Sequence, residues 1–321
     1  MLRSGVCSSS VLACPLSYRY SPAAILNNKD RPASSVTYVA GGLYGNSFAL
    51  DAIENLQKRE QHIVELIFNG DFNFFNMRED KFSFDKYNDR FRNNANITCT
   101  RGNIEAEIIS DTFGGCGCAY PYYVSSDIKL NADLIVSRLH SIAQKRCSVE
   151  NRNWLSNLPN FVTLKFANGE RVGILHGDAT SLSGWDFAEE NIESNRDYIE
   201  QAFEESNVSG FCTTHTCQAF GQKFKNGFIW NNGAAGIPNF SDGRYGLLTR
   251  ISLEGVENPH EALYECTHKG INYSAVKIMY DADSFHREFT SLHGEGTPAH
   301  ASYFGRISCG VSWRIDQADR L

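Results

Sequence analysis

The chain alternates short apolar runs with amphipathic stretches. Residues Val36–Ala40 form a β-type run that ends in the glycine-rich segment Gly41–Asn46. In the next segment Phe48, Ala49, Ala52, Ile53 and Leu56 fall on one face of a helix, so residues 47–59 are expected to be helical. A second apolar run, His62–Phe68, ends at Asn69-Gly70-Asp71. Strand, glycine loop, helix and strand make a βαβ unit, which predicts a largely α/β sheet. A third strand-like run, Ala95–Thr100, ends at Arg101-Gly102-Asn103. A helix is expected at about Ala132–Cys147 with Asn131 as N-cap. Phe161–Phe166 and Arg171–Leu175 flank Asn168-Gly169, a hairpin signal. A second hairpin is centred on Asn226-Gly227, between Phe224 and Phe228–Trp230. An acidic helix is expected near Asp186–Ser206, with further strands near Val208–Thr213, Tyr245–Ile251 and Ile271–Tyr280. Parallel βα units thus come first and antiparallel hairpins later.

Composition narrows the class. The chain has 321 residues, of which 42% are apolar and 21% charged, too apolar for a disordered chain and long enough for a sizeable core. No run approaches the roughly 18–20 apolar residues of a membrane helix. The first segment carries Arg3, but its apolar stretch is too short for a signal-peptide core, so a cytoplasmic protein is expected. With 37 acidic and 30 basic residues the net charge is −7, which argues against a nucleic-acid surface. Ten cysteines are present. Without an export signal the disulfide reading loses its compartment, and no zinc-type spacing occurs, so most are expected to be buried thiols. The pair Cys116 and Cys118, in a glycine-rich turn, and Cys217 stay open.

In open α/β sheets ligands sit beyond the carboxyl ends of the strands. Here those ends carry Asp71, Asn103, His176 and, after the strand near Val208–Thr213, His215. A carboxylate, an amide oxygen and two imidazoles on one rim suit a divalent ion such as Mn, Fe or Zn. The competing enzyme reading is a dinucleotide fold, because Ala40–Gly45 nearly matches G-x-G-x-x-G. It lacks the first glycine and leaves Asn103, His176 and His215 without a role.

The order of these motifs resembles the calcineurin-like metallophosphoesterase family. That family's succession is D-x-H-G-N, G-D, G-N-H-D/E, H-G and G-H-T-H. In this chain it reads Gly42–Asn46, Gly70-Asp71, Gly102–Glu105, His176-Gly177 and Thr214–Cys217, and Asn231–Pro238 is similar to the stretch that follows. The resemblance covers roughly residues 36–251. It implies a four-layered αββα sandwich with mixed sheets, here a core at 35–251, an N-terminal extension at 1–34 and a C-terminal segment at 252–321 that completes or covers it. It also implies a metal-dependent phosphoesterase acting on a phosphorylated small molecule or protein.

The departures from the pattern are grouped. The family's second-metal ligands correspond to Asp71, Asn103, His176 and His215, all present. The first metal's own ligands fall at Gly42, Tyr44 and Cys217. A mononuclear site is therefore expected, with Cys217 as an extra thiolate ligand or a small replacement. The G-N-H histidine is replaced by Ile104, which cannot transfer a proton. Tyr44 and Glu105 are the alternative proton donors, with His268 or His286 if the C-terminal segment folds over the rim. Asn46 and Arg101 are expected near the substrate. A catalytically inactive module that binds a phosphorylated ligand or partner is the second reading.

Overall fold

The computed structural model describes residues 16–79, 83–111 and 120–320. Cys116 and Cys118 lie outside the described residues. The strands are β1 (Arg31–Pro32), β2 (Val36–Ala40), β3 (Val64–Asn69), β4 (Ile97–Thr100), β5 (Phe161–Lys165), β6 (Arg171–Leu175), β7 (Gly210–Thr213), β8 (Phe220–Lys223), β9 (Phe228–Asn231), β10 (Gly246–Leu253), β11 (Ala262–His268), β12 (Ile271–Ile278) and β13 (Asp319–Arg320). They form two mixed sheets, one in the order β11-β12-β10-β2-β3-β4 and the other β1-β5-β6-β7-β9-β8-β13. In the first, β2, β3 and β4 are parallel to one another. In the second, β6, β7 and β9 are parallel.

The helices are α1 (Pro22–Leu26), α2 (Ser47–Gln57), α3 (Ser83–Arg92), α4 (Asn103–Ile109), α5 (Ser126–Arg146), α6 (Val149–Ser156), α7 (Arg196–Ser206), α8 (Ala282–Leu292), α9 (Pro298–Cys309) and α10 (Ile315–Ala318). Alternation along the strands explains the layers. Val36, Tyr38 and Ala40 of β2 and Leu66 and Phe68 of β3 join a core with the buried faces of α2, α3, α4 and α5. Val39 and Ile67, pointing the other way, join a second core with Ile174, Phe211 and Ile229 of the facing sheet and with α7. β2 and β3 therefore read as continuous apolar runs because both faces are covered.

Two helices differ from expectation at their starts. α5 begins at Ser126, capped by the Ser125 side chain, rather than near Ala132. Its first turn leaves Ile128 and Leu130 exposed, so it carries no apolar periodicity. The segment 186–195 is a series of turns and only Arg196–Ser206 is helical. There the Asp186 N–H donates to Asp178 Oδ2 and the Asn195 amide donates to Asp186, which gives the backbone a non-helical alternative. The boundary expected at 251 falls inside β10. Beyond residue 253 the chain adds to both the sheet and the helices. β11 and β12 extend the first sheet, while α8 and α9 cover helices, with α9 packed on α5. No described helix is long and apolar enough to cross a membrane. The six described cysteines are free thiols.

Candidate metal centre

The carboxyl ends of the parallel strands in both sheets meet at one rim. Asp71 follows β3, Asn103 opens α4 just after β4, His176 follows β6 and His215 follows β7. Asn69, at the end of β3, ties the sheets together beneath them. Its amide donates to the Leu175 carbonyl at 2.8 Å and to Thr214 Oγ1 at 3.0 Å, and its Oδ1 accepts from Thr100 Oγ1 at 2.9 Å. The backbone at Asn69-Gly70-Asp71 turns sharply, with Gly70 at φ +74° and Asp71 at +53°. Gly70 packs so closely that a Cβ there would meet His176 Nδ1 at 2.5 Å.

The imidazole of His176 is fully buried, and its Nδ1 donates to the Asn69 carbonyl at 2.8 Å. That bond leaves the Nε2 lone pair facing the site. Nε2 lies 3.2 Å from Asn103 Oδ1 and 3.4 Å from Asp71 Oδ2. Nε2 and two oxygens thus face one another, an arrangement that a bound cation or a proton on Nε2 would satisfy. Burial alone would lower the His176 pKa, but the adjacent Asp71 carboxylate outweighs it and the net direction is up. The ligand atoms of Asp71, His176 and His215 all lie within 4.8 Å of one another. His215 packs 5.2 Å from the His176 ring and edge-on to Trp185 at 5.8 Å. One carboxylate, one amide oxygen and two imidazoles fit a divalent transition ion, so the residues present suit the metal that the fold implies.

Glu105 stands behind this set rather than in it. It is fully buried, and its Oε2 accepts the backbone N–H groups of Asp71 at 2.7 Å and Gly102 at 3.1 Å. Its Oε1 accepts the Asn73 N–H at 3.1 Å. Burial, then the Asp71 charge, push its pKa up to about 7. Glu105 is not among the residues bordering the cavity, and it ties down the Asp71 loop through backbone N–H groups.

Cys217 lies outside the group of ligand atoms. Its Sγ is 2.5 Å from the Tyr44 hydroxyl. Burial pushes the thiol up to about 11, and burial likewise raises Tyr44 well above its ordinary value, so both are neutral near pH 7. The Cys217 thiol is thus engaged with the Tyr44 phenol and stands apart from the three grouped ligand atoms.

Asn46 is the N-cap of α2. Its Oδ1 accepts the Ala49 N–H and its amide donates to the Gly236 carbonyl, so it shapes the loop and does not reach the cavity. Arg101 points away, its Nη2 donating to the Ser156 carbonyl at 2.6 Å. His268 stacks on Phe228, and His286 pairs with Ser308. Neither lines the cavity.

The cavity at the rim has a volume of about 160 Å³ and is bordered by Asp71, Asn103, His215, Tyr44 and Cys217. Its outer wall holds residues that strand-end reasoning did not find. Trp185 comes from the turn-rich segment after His176, and Tyr303 and Arg306 come from α9. Asn69 was also missed, although a polar residue closing the apolar run at 64–68 was a visible signal. Tyr18 of the N-terminal segment reaches the site from below. Its hydroxyl lies 2.7 Å from Glu107 Oε1 and 3.3 Å from the Asn103 carbonyl.

The fold is that of the calcineurin-like metallophosphoesterases. The chain is similar to a metallophosphoesterase from Sphaerobacter thermophilus, with 13% identity and a TM-score of 0.52 over 86% of this chain and 100% of that one. It is also similar to a hypothetical protein from Pyrococcus horikoshii OT3, with 14% identity and a TM-score of 0.57 over 87% and 99%. No family model and no curated protein matches the chain. At these identities the likeness establishes the fold.

Proposed function

We propose that the chain is a metal-dependent phosphoesterase with a single-metal site, acting on a phosphate mono- or diester. The observation that carries this reading is the convergence of Asp71, His176 and His215 within 4.8 Å at the carboxyl ends of strands from both sheets. Asp71, Asn103, His176 and His215 would hold one Mn, Fe or Zn ion. Such an ion, when bound, supplies Lewis acidity toward a phosphoryl oxygen and activates water. The chain's own residues set the frame. The Asn69 carbonyl fixes the His176 tautomer, and Glu105 holds the Asp71 loop by its N–H groups. Ile104, Tyr44 and Trp185 border the cavity beside this set. A phosphorylated small molecule or protein is the expected partner.

The Tyr44–Cys217 bond favours a second reading. It fills the side of the site where the resembling family places its first metal, so an inactive module that binds phosphorylated ligands would share this architecture. The test is turnover of aryl phosphomonoesters and diesters with Mn, Fe, Zn or Mg added, beside Asp71→Asn and His176→Ala. Metal-dependent turnover lost in both variants supports the enzyme. Metal binding without turnover across the panel overturns it in favour of the binding module. Turnover untouched by both substitutions removes the site altogether.

A further inference from the structure

Arg306 is the one arginine or lysine bordering the cavity among the described residues. It sits on α9, three residues after Tyr303, in the C-terminal segment beyond the stretch that resembles the family. The guanidinium is half-buried and held in place by two backbone carbonyls. Nε donates to Pro238 at 2.7 Å and Nη2 donates to Cys217 at 3.2 Å. A guanidinium carries five N–H donors, so three stay uncommitted by these bonds. No carboxylate among the described residues pairs with it. A guanidinium with no carboxylate partner among the described residues thus borders the same cavity as Asp71, Asn103 and His215.

The cavity size restricts what can meet that charge. About 160 Å³ is room for a phosphoryl group, below the roughly 300 Å³ or greater of pockets that enclose whole drug-sized ligands, so the rest of a larger ligand would lie outside it. Tyr44, Phe74 and Tyr303 form a packed aromatic wall beside it, with Tyr303 stacked on Phe75 at 4.2 Å. The Tyr44 hydroxyl and the Cys217 thiol are bonded to each other at this wall, and Arg306 holds the Cys217 carbonyl directly.

We propose that Arg306 supplies the second positive charge of this site and donates its free N–H groups to an oxygen of the bound phosphoryl group, so that α9 completes the anion site. This rests on the metal-site reading above, because the opposite side of the same anion is assigned to the metal. Planar guanidinium forks suit phosphate oxygens, and loss of a charge-assisted hydrogen bond weakens binding about tenfold to a hundredfold.

The test uses inorganic phosphate and the full chain, titrated calorimetrically with and without Mn. Arg306→Gln should bind phosphate at least tenfold more weakly than the unchanged chain in both conditions. Its Mn affinity should stay within about twofold, a separation that a merely structural staple would not produce. Arg306→Lys should recover part of the phosphate affinity. A chain that binds no Mn sinks the metal-site reading, while the metal-free titration still tests Arg306. Equal phosphate affinity in Arg306→Gln and the unchanged chain overturns the proposal. Phenylglyoxal labelling of the unchanged chain, read by peptide mass spectrometry, covers the case in which the variant fails to fold. Phosphate should protect Arg306 from the reagent, and labelling indifferent to phosphate overturns the proposal equally.

Discussion

Replacing Gly70 with alanine tests how the site is held. Gly70 sits at φ +74°, in the left-handed region, where a side chain costs about 1–2 kcal/mol. Space is the second term. An added Cβ would meet His176 Nδ1 at 2.5 Å, Gly102 Cα at 2.6 Å and Gly102 N at 2.7 Å. Two of these atoms are backbone, and the third belongs to a ring clamped on the Asn69 carbonyl. Overpacking of this kind adds about 1–3 kcal/mol. The total of about 2–5 kcal/mol should lower the melting temperature by about 3–7 °C, since a chain of 321 residues unfolds with an entropy near 0.7 kcal/mol per degree. Because the clash pushes on the His176 ring, Mn affinity should also fall about tenfold to a hundredfold, as when groups that orient a metal ligand are disturbed. Gly169→Ala is the control. Gly169 has φ +89° with nothing near its Cβ direction, so it should show the conformational cost alone and leave Mn binding intact. Calorimetric melting and Mn titration of the three proteins decide the matter. A Gly70→Ala protein that melts within a degree of the parent, or binds Mn as the parent does, refutes the claim that this close approach sets His176.

Four further outcomes follow from the structure. Mn or Zn at a hundred times its dissociation constant should stabilise the folded chain by about 2.7 kcal/mol, raising the melting temperature by about 4 °C; His176→Ala should abolish the rise, and an equal rise in that variant would show binding elsewhere. Glu60 and Arg250 form a buried pair whose side chains are 0% and 1% exposed, so Glu60→Gln should cost about 3–5 kcal/mol in denaturant titrations. Burial would raise the Glu60 pKa, but hydrogen bonds from Arg250 and Tyr38 outweigh it and the net direction is down; burial lowers that of His260 despite Glu60 beside it. Both groups therefore lose stability with acid: His260 below about pH 6.5 and Glu60 as the pH falls through its lowered folded value. Stability that is flat from pH 7 to pH 4 would contradict this assignment. Tyr18→Phe removes the hydroxyl that bonds Glu107 beneath Asn103, and should lower the melting temperature by about 2–4 °C with weaker Mn binding; unchanged Mn affinity would show that Asn103 is held without it.

What the sequence revealed of this site depends on distance along the chain. Asp71, Asn103, His176 and His215 were legible because each stands immediately after a short apolar run, and the run and its end are contiguous. The same locality made β2, β3 and the hairpin around Asn168-Gly169 readable. Asn69 bonds partners 106 and 145 residues away, so no window around it contains its role. Arg101 and Arg306 show the same limit from opposite sides. Arg101 is next to the Gly102 loop in sequence, but α6 captures its guanidinium at Ser156. Arg306 is about 90 residues from Cys217 and reaches it because α9 packs on α5. The start of α5 was hidden for a different reason. Its first turn faces solvent, where periodicity carries no information.

Backbone strain gives an independent view of the same rim. Among the described residues five non-glycine residues have left-handed backbone: Tyr44, Asp71, Asn207, Cys217 and Lys269. Asn207 is the C-cap of α7, and Lys269 lies in the turn between β11 and β12, places where this conformation is routine. The other three border one cavity. Such conformations cost on the order of 1 kcal/mol or more each and persist only where surrounding contacts over-determine them. Those contacts are present. Tyr44 N donates to the Asp71 carbonyl at 3.1 Å, Gly45 N to Phe72 at 2.8 Å and Cys217 N to Thr214 at 2.6 Å. The loops after β2 and β3 are thus locked to each other, the loop after β7 is closed on itself, and the Tyr44 hydroxyl bonded to Cys217 joins the two. If Tyr44 and Cys217 merely filled space, either could do so from relaxed backbone. Their shared left-handed backbone holds the phenol, the thiol and the carbonyl that accepts from Arg306 in one arrangement at the border of the cavity.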